Sequence, residues 1–118
     1  MKRIIVLLFL CASGIAFAQN QPRIDSLNSE LQKHEARKKV LGASAPAMID
    51  TAKALLLNDL NREFRDFDDE KGLEYAKQCL ELSEHIGYKK GVAHGYNDYG
   101  LYYFNQGNND DAERYYNQ

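Results

Sequence analysis

Three histidines, one cysteine in the body of the chain and a short acidic run are the residues that could carry chemistry here. His34, His85 and His94 are of a type that ligates metals and moves protons near neutral pH. A zinc site would need Cys, His or carboxylate partners at ligand spacing, and none of the three has them. His34-Glu35 opens like a zincin helix, but Lys38 stands where the second His belongs. Asp66-x-Asp68-x-Glu70 supplies the opening acids of a calcium loop. Lys71 stands where that loop needs glycine, and Lys77 where it needs a bidentate glutamate. Helix capping is the better reading of those acids. Cys79 lies on the small-residue side of a helical pattern, the setting of a buried structural thiol rather than a nucleophile. There is no glycine-rich phosphate loop, and Asn108-Asn109-Asp110-Asp111 reads as an N-cap with its first turn. The expectation is no catalysis, no metal and no cofactor.

The elements that would position any site are helical. The chain has 118 residues, a small domain's worth, with a net charge of −2, so bulk electrostatics give no reason to expect a nucleic-acid partner. Residues 1–18 read as a secretory signal peptide. Lys2 and Arg3 are the positive start, Ile4 to Leu10 is a short apolar run, and Ala16-Phe17-Ala18 is the cleavage site. The apolar run is too short for a stable membrane span, and Leu10 before Cys11 argues against a lipoprotein. Removing Lys2 and Arg3 leaves 13 basic against 17 acidic residues, a net charge of −4. With Cys11 gone as well, Cys79 is alone and no internal disulfide can form. The expected product is exported, periplasmic or secreted.

Residues 19–50 form an N-terminal helix and linker. Ile24, Leu27, Leu31 and His34 share a stripe, which predicts an amphipathic helix from about Ile24 to Lys39. Arg37-Lys38-Lys39 suits a solvated helix end, where positive charge meets the negative pole of the dipole, better than a binding patch. Gly42 to Pro46 reads as a loop. Asp50 is then the expected N-cap of a helix from Thr51 to about Phe67, with Leu57, Leu60 and Phe64 on one face. Asp68 caps a further helix from Asp69 to Ile86, whose face carries Leu73, Ala76, Leu80 and Ser83, and Gly87 stops it. Lys89-Lys90-Gly91 reads as a connector, with the next helix starting at Val92.

That next helix carries Tyr96, Tyr99 and Tyr103 at i, i+3 and i+7. Gly100 leaves the stripe bare for close helix approach, and Gly107 supplies a turn. Ala112 and Tyr116 face back from a last helix. The spacing Tyr96-x2-Tyr99-Gly100-x2-Tyr103 followed by Ala112-x3-Tyr116 resembles the tetratricopeptide repeat, with tyrosine in place of its Trp, Leu and Phe. An earlier copy is visible. Leu57-Asn58-Asp59-Leu60 and Phe64 precede Tyr96-Asn97-Asp98-Tyr99 and Tyr103 by 39 residues, and Gly72 and Ala76 precede Ala112 and Tyr116 by 40. The family's unit is about 34 residues, so this is similar to an extended bacterial variant. The first copy has Asn61 where the pattern has Gly, and Gly72 where it has Ala.

The resemblance implies an all-α fold for residues 51–118. Antiparallel helical hairpins would stack as a short right-handed solenoid, with repeat 1 at 51–91 and an incomplete repeat 2 at 92–118. It also implies a concave face lined by the first helix of each hairpin. Those positions are Leu55, Asn58, Arg62, Arg65 and Asp66, then His94, Asn97, Leu101, Phe104 and Asn105. Asn58 and Asn97 would hold a peptide backbone through paired amide bonds, and Arg62 with Arg65 would fork a carboxylate. A plain solvated helix face remains the alternative, and Tyr102 with Phe104 either pack on a neighbour or meet a ligand. The expected function is an exported scaffold binding a protein or peptide. The alternative is the N-terminal periplasmic sensor segment of a longer signalling protein, of the histidine kinase or transcriptional regulator type. Only two copies are present and the last helix is short. The chain is therefore expected to be the front piece of a longer repeat protein, or to self-associate through the Tyr115-Tyr116 end.

Overall fold

A computed structural model describes the backbone of residues 2–118 and the side chains of residues 20–118. The signal-peptide reading of residues 1–18 rests on side chains outside the described residues. Five α-helices and one 3-10 turn make up the fold, with no strand among the described residues. The helices are α1 (Lys2–Leu41), α2 (Ala47–Phe64), α3 (Asp69–Ile86), α4 (Lys89–Asn105) and α5 (Asn109–Tyr116).

Helix α1 is longer than its expected Ile24–Lys39 core and carries Pro22 in its interior. It lies antiparallel along α2. Arg23 pairs with Glu63 at one end, Lys38 with Asp50 at the other, and Lys53 with Glu35 between them. Ile24 is buried against this seam, with Leu27 and Leu31 half-buried on the same stripe. Gly42, at φ +53°, opens the 3-10 turn at Gly42–Ser44.

The start of α2 corrects an expectation. Pro46 occupies the N-cap and Asp50 sits inside the first turn, its carboxylate committed to Lys38 rather than to the helix end. Proline has no side-chain acceptor, so the helix starts without a side-chain cap, and the Pro46 carbonyl accepts from Ile49 N–H at 2.9 Å. It also ends at Phe64 instead of Phe67, where Asp68 N–H donates to the Phe64 carbonyl at 2.7 Å.

Helix α3 follows the sequence reading at both ends. Asp68 accepts from Lys71 N–H at 3.0 Å, and Gly87 closes the helix at φ +69°. Gly87 N–H donates to the Glu84 carbonyl and Tyr88 N–H to the Ser83 carbonyl, the paired bonds of a Schellman end. That tight turn lets α4 begin at once. Lys89, Lys90 and Gly91 therefore form its first turn rather than a connector. Helix α4 ends in the same motif at Gly107 (φ +75°), and Asn108 then caps α5 by accepting from Asp111 N–H.

Packing follows chain order. Each helix from α1 to α5 packs on the next, and α2 also touches α4. The inner face of α3 is made of small residues, Gly72, Ala76, Cys79 and Ser83, with Leu73 and Leu80 on its flanks rather than at its centre. Ala54, Leu57 and Cys79 form the fully buried cluster, with Leu31, Tyr75, Leu82 and Tyr88 against it. The Cys79 thiol donates to the Ala54 carbonyl at 3.3 Å, and burial pushes its pKa up, so it stays an inert thiol.

The tyrosine stripe of α4 is arranged differently from expectation. Tyr96, Tyr99 and Tyr103 stack on Tyr115, with ring centroids 6.5, 5.0 and 5.3 Å away. Tyr116, expected in the core, is 48% exposed and lies over Gly100. Both rings rest on α4: Tyr115 is half-buried against the three stripe tyrosines, and Tyr116 covers the bare backbone at Gly100 from the more exposed side.

Candidate binding groove

Helices α2 and α4 cross on one side of α3, and their facing side chains enclose a small polar cavity. It is lined by Asn61 of α2 and Arg65 just after it, Asp69 and Leu73 from α3, and Asp98, Leu101, Tyr102 and Asn105 from α4. The room inside is about 10 Å³, enough for one water-sized group.

Local sequence explains why polar residues meet there. Asn61 stands one turn after the buried Leu57, so it points inward at 4% exposure. Its Nδ2 donates to the Gly72 carbonyl at 2.9 Å. Gly72 lets α3 lie close to the main chain at the end of α2, since a Cβ there would lie 3.3 Å from the Asn61 carbonyl oxygen and 3.2 Å from Arg65 N. Asp98 lies between the half-buried Tyr96 and Tyr99 and is 7% exposed. Burial pushes its carboxyl up to about 6, while the charges of Arg65 and then Arg62 pull the other way. Asn61 Oδ1 and Asp98 Oδ2 are both buried without a hydrogen-bond partner among the described residues.

The rim is pinned by acids of the first turn of α3. Tyr102 donates to Glu70 Oε1 at 2.6 Å, which lifts the tyrosine pKa to about 12, and Gln106 donates to Asp69 Oδ2. Of the three acids that resemble a calcium loop in sequence, Glu70 is one of this pair, Asp68 is the α3 cap, and Asp66 is exposed. Asp69 and Glu70 of the first turn of α3 tie down the end of α4. Among the described residues no group of three or more His, Cys, Asp or Glu side chains could hold a metal ion.

The residues assigned to a concave face divide among several places. Arg65, Leu101 and Asn105 come together at the cavity, and Arg62 is exposed close enough to act on Asp98. Asp66 is exposed, 3.9 Å from Arg65. Asn58 is buried at 6% within α2, whereas Asn97, its repeat counterpart, is exposed. Asn97 lines a separate groove of about 350 Å³ with Lys89, Tyr96, Tyr115 and Tyr116. Leu55 lies in another groove of about 350 Å³ between α1 and α2, beside Lys33, His34 and Arg37. His94 is half-buried on α4, and Phe104 is exposed beside Ala112 and Tyr116. His34 sits at the α1–α2 seam with Nε2 on the Ile49 carbonyl, and His85 is exposed. The sequence reading missed Asp98 and treated Asn61 only as a departure from pattern. The repeated Asn-Asp pair between stripe residues was the available signal, because the residue just before Tyr99 borders the buried stripe.

No protein-family model matches the chain, and neither a curated protein nor a solved structure does.

Proposed function

We propose that this chain is an exported, non-catalytic helical scaffold of the tetratricopeptide type, which binds a polypeptide across α2 and α4. The observation that carries this reading is the packing order. Helices α2 to α5 each pack on the next, and α2 also touches α4. Stacked hairpins have this neighbour pattern, in which the first helices of successive units lie side by side and form one continuous face. The repeat positions fit it in volume. Gly72 lets α3 approach the α2 main chain in one hairpin, and Gly100 accepts the ring of Tyr116 in the other. On this face the side chains of Asn61 and Asp98 hold unused hydrogen-bond capacity, which a polypeptide can satisfy.

Selecting peptides from a random displayed library on the 118-residue chain, then mapping binders by backbone amide shifts, tests the reading. The shifts should centre on Arg62, Arg65, Leu101 and Asn105. Failure to enrich any peptide, or shifts confined to the outer side of α5, refutes it.

Export rests on residues 1–18 as sequence. Cleavage after Ala18 would leave Pro22 in the first turn of α1, where a missing N–H costs no helix bond. Mass measurement of the mature N-terminus checks this, and an exported product still carrying Met1 refutes it.

A further inference from the structure

The cavity between α2 and α4 has a polarity that the arginines beside it do not reveal. Two of its oxygens, Asp98 Oδ2 and Asn61 Oδ1, are buried acceptors with no donor among the described residues. Both belong to side chains more than nine-tenths buried. The charged residues lining the cavity are Arg65, Asp69 and Asp98, one positive and two negative. Arg65 is in place to answer Asp98, yet its Nε stands 3.9 Å from the exposed Asp66 and Asp98 Oδ2 stays bare. Size accounts for that. A guanidinium is a broad planar fork, whereas an ammonium is a compact charge with three donors. Room for one water-sized group admits the second and not the first. The cavity's most solvent-exposed lining residue is Asn105, with Arg65 and Tyr102 half-buried beside it.

We infer that Asp98 and Asn61 form a subsite for a primary ammonium, supplied by a lysine side chain of the polypeptide that lies across α2 and α4. The inference rests on the groove reading above and gives its ligand a chemical class. Asp98 supplies the countercharge, Asn61 Oδ1 a second acceptor, and Arg65 excludes a second cation from the rim. The carboxylate is the form that binds the ammonium. Burial raises the Asp98 pKa, Arg65 and Arg62 of α2 lower it, and Asp69 of α3 lines the same cavity. Ammonium binding therefore pulls the Asp98 titration midpoint down.

Two arms test this on the 118-residue chain. In the first, methylammonium chloride is titrated against the Asp98 side-chain carboxyl resonance, with tetramethylammonium chloride at equal ionic strength as control. Methylammonium should move the resonance saturably and lower the midpoint, and tetramethylammonium, which is too large, should do neither. Equal effects of the two salts, or none from either, overturn the subsite. In the second arm, a library-selected peptide is compared with its lysine-to-norleucine analogue. A charged hydrogen bond of this kind corresponds to a loss of about tenfold or more in affinity on removing the ammonium. That loss should disappear in Asp98→Asn. Peptides that bind equally with norleucine overturn the lysine assignment while leaving the groove reading intact. A chain that takes methylammonium but selects no peptide overturns lysine as the source and refutes the groove reading with it.

Discussion

Alanine at Gly95 places a methyl group against α3 at a point where neither helix can yield. An ideal Cβ there lies 2.7 Å from Leu80 Cβ and 3.1 Å from Leu80 Cα. Carbon atoms in ordinary contact sit about 3.5–4.0 Å apart, so the helices must separate by about 0.8 Å or Leu80 must be displaced. A gap of that size forfeits about a quarter to a half of each dispersion contact along the seam. The seam extends to Gly91, where a Cβ would meet Ser83 Cβ at 2.8 Å. Overpacking of this kind costs about 1–3 kcal/mol, and the gain in helix propensity returns about 1 kcal/mol. With the obstruction anchored in main chain, the upper end of that cost applies, for a net loss of about 2 kcal/mol. At Gly100 the same substitution meets Tyr116 ring atoms at 2.5 and 2.6 Å. That ring is already 48% exposed in the last turn of α5, so it can swing away. The loss is about half of an aromatic side chain's burial, about 1 kcal/mol, which the propensity gain offsets. Each kcal/mol shifts the melting temperature of a domain this size by about 4–8 °C, so Gly95→Ala should melt about 10 °C below Gly100→Ala. Thermal and urea unfolding followed by far-ultraviolet circular dichroism decide the matter. Equal stability of the two variants, or a Gly95→Ala protein as stable as its parent, refutes the rigid α3–α4 seam.

Three further outcomes are expected. Asp98 takes its proton near pH 6 when folded and near its ordinary 3.8 when unfolded, so its stabilisation is complete below 3.8 and is lost as pH rises through 6. The parent should lose up to about 3 kcal/mol over that window relative to Asp98→Asn in urea unfolding at a series of pH values, and parallel slopes refute this. Tyr115→Ala, which removes the ring that three tyrosines stack on, should cost about 3 kcal/mol, and Tyr116→Ala under about 1 kcal/mol; a larger loss at Tyr116 would reverse the assignment of the inner ring. Chelator, zinc and calcium should leave the melting curve unchanged, and loss of helix on chelation would show that the acids at Asp66 to Glu70 hold a metal.

The parts legible in sequence are those fixed by local rules. Asp68, Gly87, Gly107 and Asn108 each impose a backbone geometry or a capping bond on their own neighbours, and each does so where the spacing predicts. The parts that were not legible depend on a second helix. Asp50 has the composition of an N-cap, but Lys38 of α1 takes its carboxylate and Pro46 takes over the start. Lys89-Lys90-Gly91 has the composition of a connector. The Schellman end of α3 reverses the chain so abruptly that those residues become helical, and the absence of a side chain at Gly91 lets them lie on Ser83. Tyr115 and Tyr116 are one residue apart and chemically identical. Only the direction of α4 decides which one is inside.

The candidate site fails to be legible for a related reason. A repeat pattern treats equivalent positions as equivalent environments, but each position also depends on which neighbour lies beside its own unit. Asn58 and Asn97 align, yet Asn58 is buried within the helix that α1, α3 and α4 all pack on, while Asn97 is exposed. Asp59 and Asp98 align in the same way with the opposite result. Asp98 is enclosed beside Arg65 and Asn61 of α2, and Asp59 lies half-buried at the open groove between α1 and α2. The two departures from pattern meet through a hydrogen bond, Asn61 Nδ2 to the Gly72 carbonyl. Asn61 in place of Gly adds a side chain at a helix crossing, and Gly72 in place of Ala removes one from the facing helix. The bond uses the amide nitrogen and leaves the amide oxygen in the same cavity as a buried carboxylate. What looks in sequence like a weakened first repeat is, in three dimensions, the step that makes the groove floor polar.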